Sequence, residues 1–161
     1  MIDGVPIEQM SIGRLRASIG YVPQDSFLFS DSLRENIALG AEDDAADRAA
    51  EIARLAADVE EFPAGMETVV GERGVTLSGG QKQRTALARA LYHPGRVIVA
   101  DEPVSSVDEH QAREILTTMN GEKETVLLAM HDRALAIEFA DRIVGIRDGR
   151  IVLDEASNGM R

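Results

Sequence analysis

Asp101 and Glu102 close the run "VIVADE", two adjacent carboxylates directly behind four apolar residues. A hard divalent cation such as Mg²⁺ takes a few carboxylate and water oxygens, so Asp101, last in line with a strand, suits a metal contact, direct or through water. Glu102 then suits the orientation or deprotonation of an attacking water, a role worth about 10² to 10⁴-fold in rate. Two more polar residues follow apolar runs, Gln24 after "YVP" and His131 after "TVLLAM". Gln24 suits a metal contact or a water-positioning role, and His131 a donor toward a terminal phosphate. Each alone is as well explained as a polar strand cap. Three together form a pattern, because open α/β sheets gather ligands beyond the carboxyl ends of their strands.

A second motif, "LSGGQKQRTALARAL" from Leu77 to Leu91, starts a helix with two glycines. Ser78 and Gln81 have the spacing of a capping box, which an ordinary helix start would also show. Gly79 and Gly80 each cost about 1 kcal/mol relative to alanine in a helix. That cost is reasonable where a ligand must approach bare backbone. Exposed N–H groups at the positive helix end would then meet an anion, most naturally a phosphate.

The surrounding pattern positions these residues. Leu15 to Gln24 reads as a short strand stopped by Pro23. Ser32 and Glu35 have capping-box spacing and predict a short helix. Apolar residues recurring at three and four from Ala45 to Phe62 predict one helix, broken by Pro63 and Gly65. A helix to about Tyr92 leads through His93-Pro94-Gly95 into the strand "VIVADE", whose apolar run suits a parallel strand buried on both faces. Asp108 to about Met119 reads as a helix closed by Asn120-Gly121 and followed by the strand "TVLLAM". A last helix, Asp132 to Ala140, precedes two apolar runs joined by Asp148-Gly149, a hairpin signal. The alternation predicts an α/β fold, a mostly parallel sheet flanked by helices. The segment from roughly 41 to 73 reads as an inserted α-helical subdomain. Asp108 is explained by capping alone, and Glu42, Asp43 and Asp44 by a solvated helix start.

Composition narrows the function. Seventeen basic against 28 acidic residues give a net charge of −11 over 161 residues, which argues against general nucleic-acid or anionic-lipid binding. There is no cysteine for a thiolate metal site or disulfide, which fits a reducing compartment. The longest apolar run, Val126 to Met130, is far shorter than a membrane-spanning helix.

Together these residues resemble the nucleotide-binding domain of ATP-binding cassette (ABC) proteins, over essentially the whole chain. Leu77-Ser78-Gly79-Gly80-Gln81 is similar to the signature motif, "VIVADE" to the Walker B strand with Asp101 and Glu102, and Ser105-Ser106-Val107-Asp108 to the D-loop. Gln24 falls at the Q-loop and His131 at the H-loop. "PQDSFLFSDSLRENIALG" and "TVVGERGVTLSGGQ" resemble the exporter branch, although Pro103 after Glu102 and Met130 before His131 depart from its usual pattern.

The resemblance implies a P-loop NTPase-like fold, ATP with Mg²⁺, and head-to-tail pairing with a second nucleotide-binding domain. It also implies a transmembrane partner reached through Glu72-Arg73-Gly74, at the cytoplasmic face of the membrane. Ser78, Gly79, Gly80 and Gln81 would bind the ATP of the partner, with Ser105, Ser106 and Asp108 in the D-loop. Glu102, His131 and Gln24 would be catalytic in their own chain, and Asp101 with Gln24 would hold Mg²⁺. The phosphate-cradling pattern G-x-x-x-x-G-K-[ST] does not occur in the 161 residues. The chain is therefore expected to be a partial domain, lacking the N-terminal strands and P-loop, and to hydrolyse little ATP alone. Other readings are a soluble ABC-type ATPase of DNA repair or translation, and a non-catalytic half that complements a full-length partner.

Overall fold

The computed structural model describes residues 1–41, 45–71 and 74–157. The acidic run Glu42–Asp44, and Glu72 and Arg73 of the expected membrane-facing loop, lie outside them. Two compact units divide at Ala129, Met1–Ala129 and Met130–Arg161.

The first unit is built on a parallel sheet in the order β1 (Ile19–Val22), β2 (Val97–Asp101), β3 (Thr125–Ala129). Register aligns Gly20 with Ile98 and Val126, and Tyr21 with Val99 and Leu127. On one face Val22, Ile98 and Ala100 are buried, whereas on the other Tyr21 and Leu127 are exposed and Val99 is half-buried. One face is thus buried over β1 and β2 and half-buried over β3, where Val126 and Leu128 lie, and the other is more open, not buried on both as the apolar run of β2 suggested.

That covered face receives α5 (Gly79–Tyr92). A Cβ on Gly20 would stand 2.5 Å from the carbonyl oxygen of Ala90, so strand and helix touch backbone to backbone. Glycine is what permits this approach. Around α5 pack α2 (Leu33–Ala38) and α3 (Ala45–Ile52). The resulting core holds Leu33, Ile37, Ala46, Leu55, Leu87 and Ile98.

Three expected elements differ in extent. The strand expected from Leu15 begins only at Ile19, because Ser11 accepts the Arg14 N–H at 3.3 Å and starts α1 (Ile12–Ser18). The single helix over 45–62 is two, α3 and α4 (Ala56–Glu61). Between them Arg54 turns left-handed at φ 58°, while Arg54 N–H reaches the Glu51 carbonyl and Leu55 N–H that of Ala50. This is a Schellman ending with arginine in the usual glycine position, and it drives Leu55 wholly into the core. Finally, α6 (Glu109–Glu122) runs through Asn120-Gly121. Its end is set instead by Lys123, whose Nζ donates to the carbonyls of His93 at 2.6 Å and Gly95 at 3.0 Å.

Ser32 caps α2 as expected, accepting the Glu35 N–H at 3.1 Å. Its own N–H goes to Asp31 Oδ1 at 2.8 Å. Buried Asn36 then fastens the preceding loop, accepting the Phe29 N–H at 2.8 Å and donating to the Phe29 carbonyl at 3.0 Å. From α5, Arg89 donates to the Asn36 carbonyl at 2.7 Å and the Phe27 carbonyl at 3.2 Å.

In the second unit, α7 (Arg133–Phe139) is capped by Asp132. It leads to the antiparallel pair β4 (Arg142–Arg147) and β5 (Arg150–Ala156). Asp148 and Gly149 join them with φ of 50° and 69°, the two left-handed residues of a type I′ turn.

Two outcomes follow from this packing. Gly20→Ala destabilises the chain by about 1–3 kcal/mol in urea unfolding, because neither backbone can yield without shifting α5. His93 Nδ1 accepts the Gly95 N–H at 3.0 Å, a bond that needs the neutral ring. Burial first, and Lys123 second, hold the His93 pKa below its usual 6.5. Stability from this group is full above the unfolded value and is lost as pH falls through the folded one. Urea midpoints measured downward from pH 7.5 should fall, and His93→Asn, which keeps an acceptor but does not titrate, should flatten that part of the profile.

Candidate functional site

At the start of α5 the capping box is complete. Ser78 Oγ accepts the Gln81 N–H at 3.2 Å, and Gln81 Oε1 accepts the Ser78 N–H at 2.9 Å. Asp58 on α4 secures it from outside, taking Gln81 Nε2 at 2.9 Å and Arg84 Nη2 at 2.6 Å. The first α-helical bond is Lys82 N–H to the Ser78 carbonyl at 3.0 Å. The N–H groups of Gly79 and Gly80 precede it, with no place in the intrahelical ladder.

The two glycines differ in what surrounds them. A Cβ on Gly79 would meet nothing within 4 Å, whereas one on Gly80 would stand 3.3 Å from Arg84 Nη1 and 3.4 Å from the Ser106 carbonyl. Among the described residues nothing therefore requires glycine at 79, and its backbone lies open to an approaching group.

Gly79 lines an open cavity of about 430 Å³ with Gln24, Ser26, Lys82, Gln83 and Ser106. Gln24 lies just beyond β1, exposed after Pro23. The structure thus brings together Gln24, the start of α5 and Ser106, which the sequence spreads over some 80 positions.

The acidic pair sits at the end of β2, both residues half-buried. Asp101 is the last strand residue, opposite Ala129. Glu102 donates its N–H to the Ala129 carbonyl at 2.9 Å and takes φ of 50°. A left-handed non-glycine residue costs about 1 kcal/mol or more, so something must hold it. Three donors converge on its carbonyl oxygen: Ser105 Oγ at 3.1 Å, Ser105 N–H at 3.3 Å, and Gln83 Nε2 from α5. Behind it Pro103 and Val104 are buried, and Asp108 caps α6 by accepting the Gln111 N–H at 2.9 Å. Exposed His131 belongs to the second unit.

Asp101 and Gln24 are hard oxygen donors, the chemistry Mg²⁺ accepts. Among the described residues no group of three or more His, Cys, Asp or Glu could cage a metal.

Sequence reasoning missed Gln83 and Asp58. Gln83 carried a readable signal, since it precedes the buried Ala86, Leu87 and Ala90 by three, four and seven residues. A polar residue on the apolar stripe of a helix needs a buried partner.

A three-stranded parallel sheet flanked by helices, with two acids at the end of its central strand, is of the P-loop NTPase type. A family model described as ABC transporter matches residues 1–105, and the chain belongs to that family, whose domains are in general ATPases that use ATP with a divalent metal. The probable multidrug resistance ABC transporter ATP-binding/permease protein YheI of Bacillus subtilis is 40% identical over 97% of this chain and 27% of its own length. The ATP-dependent lipid A-core flippase of Burkholderia orbicola is 38% identical over 94% of the chain and 26% of its own length. A solved bacterial Atm1-family ABC exporter with ATP bound superposes with a TM-score of 0.87 at 36% identity, covering 99% of this chain and 29% of that one. The chain thus spans about a quarter of the length of these exporter-type relatives. No helix among the described residues is long and apolar enough to cross a membrane.

Gly79→Ala separates fold from ligand binding. Its urea midpoint should be unchanged or raised, by up to about 1 kcal/mol, since alanine favours the helix and meets no neighbour, while phosphate-dependent binding at α5 is lost.

Proposed function

We propose that the chain is part of the ATP-hydrolysing domain of an ABC exporter and supplies the signature motif to a composite ATP site. The observation that carries this reading is Gly79, whose bare backbone nothing among the described residues requires. Ser78, Gly79, Gly80 and Gln81 bind the terminal phosphate of an ATP held by a second nucleotide-binding domain. The Gly79 and Gly80 N–H groups and the helix dipole supply the attraction.

In its own chain Asp101, with Gln24, would hold Mg²⁺, which when bound would neutralise phosphate charge. Glu102 takes the proton of the attacking water, Gln24 orients that water, and His131 donates toward the terminal phosphate. Ser105, Ser106 and Asp108 form the D-loop beside the partner. Residues 41–73 form part of a helical subdomain, and Glu72-Arg73-Gly74 reaches a transmembrane domain at the cytoplasmic face.

The test pairs the chain with a nucleotide-binding domain that carries its own P-loop. ATP should drive association of the two in sedimentation velocity, and Gly79→Asp should abolish it by placing a carboxylate against phosphate. Alone, the 161-residue chain should hydrolyse little or no ATP. Robust Mg²⁺-ATP turnover by the chain alone, abolished by Glu102→Gln, would overturn this division of labour.

A further inference from the structure

Gln83 lies one helical turn beyond Gly79 and is only 4% exposed. Its side chain crosses from α5 to the Glu102 carbonyl and also approaches Ser105 Oγ at 3.4 Å. A carbonyl can only accept, so the amide nitrogen must face it. The amide oxygen is consequently left buried with no hydrogen-bond partner. A glutamine held in this way is aligned to the Glu102 backbone at the expense of its own second bond.

Among the described residues the other left-handed non-glycine positions are Asp3, Leu39, Arg54 and Asp148. Asp3 and Asp148 lie in two-residue turns, and Leu39 and Arg54 end helices. The Glu102 carbonyl instead accepts from two side chains, Ser105 in its own loop and Gln83 from α5. A Cβ on Gly80 would stand 3.4 Å from the Ser106 carbonyl, so the start of α5 also runs close to the loop 102–106.

We propose that Gln83 is a positioning residue that ties the phosphate-facing start of α5 to the backbone of Glu102. This rests on the function proposed above, in which Ser78 to Gln81 serve the partner's ATP while Glu102 serves its own chain's. Occupancy of the first site then reaches the acidic pair of the second through one glutamine. A shift of α5 toward a phosphate pulls on the Glu102 carbonyl and reorients the carboxylate that follows from its φ. No proton moves in this step; it is a change of backbone position.

Amide hydrogen exchange tests the proposal in two arms. In the first, the chain alone is compared with Gln83→Met, which keeps length but removes the donor. Exchange at Glu102 and Ser105 should rise at least tenfold, while Leu87 and Ala90 within α5 change less than twofold. Equal acceleration at all four, or none, would overturn the proposal. Should Gln83→Met not fold, the wild-type chain decides by NMR. A through-hydrogen-bond coupling between Gln83 Nε2 and the Glu102 carbonyl carbon is expected, and its absence is contrary.

In the second arm, ATP is added to the chain paired with its P-loop-bearing partner. Exchange in the 102–106 loop should respond to ATP in the wild type and not in Gln83→Met, with the association constant within twofold. A response of equal size in both sinks the coupling. Absence of any ATP-dependent association instead refutes the proposed function, and the first arm still judges the Gln83–Glu102 link.

Discussion

The first unit depends on α5 lying flush against β1. Gly20 and Ala90 meet backbone to backbone, which sets the depth of the helix. With the depth set, the Thr85–Ala90 stretch is buried except for Arg89, whose half-buried guanidinium, lowered in pKa by desolvation, serves the Phe27 and Asn36 carbonyls. The same helix begins at the Gly79 N–H groups and passes Gln83 across to Glu102. Site, core and aromatic loop are thus referred to one rod, about 20 Å long at 1.5 Å per residue.

Charge is arranged around that rod with the same economy. Asp58 holds both Gln81 and Arg84, with only 19% and 15% of the Asp58 and Arg84 side chains exposed. This makes the pair more than a surface ion pair, whose usual contribution is about 0–1 kcal/mol. On the outer side Arg34 links Asp47 of α3 to Glu67, its guanidinium held more firmly charged by both.

Local signals were legible wherever a short-range bond decides the structure. The Ser78/Gln81 box and the Asp148-Gly149 turn formed as their spacing indicated, and Ser32 starts α2, although its own N–H goes to Asp31 rather than Glu35. Signals failed where a distant contact won. Burial of Leu55 ended α3 at an arginine, and the reach of Lys123 to the His93 and Gly95 carbonyls carried α6 through Asn120-Gly121. The alternation in β2 was masked because both its faces are apolar, though one is only partly covered.

By itself the sequence determined the element order, the phosphate-suited start of α5, the acids at the end of β2 and membership of a family marked by contiguous motifs. Those are properties of spacing within a few residues, where hydrogen-bond geometry is closed locally. Only the tertiary structure decided that Gln24, Gly79 and Ser106 share one cavity and that Glu102 is held left-handed by a glutamine 19 positions earlier. Those depend on how closely a helix can approach a strand, which is settled by packing between residues remote in the chain.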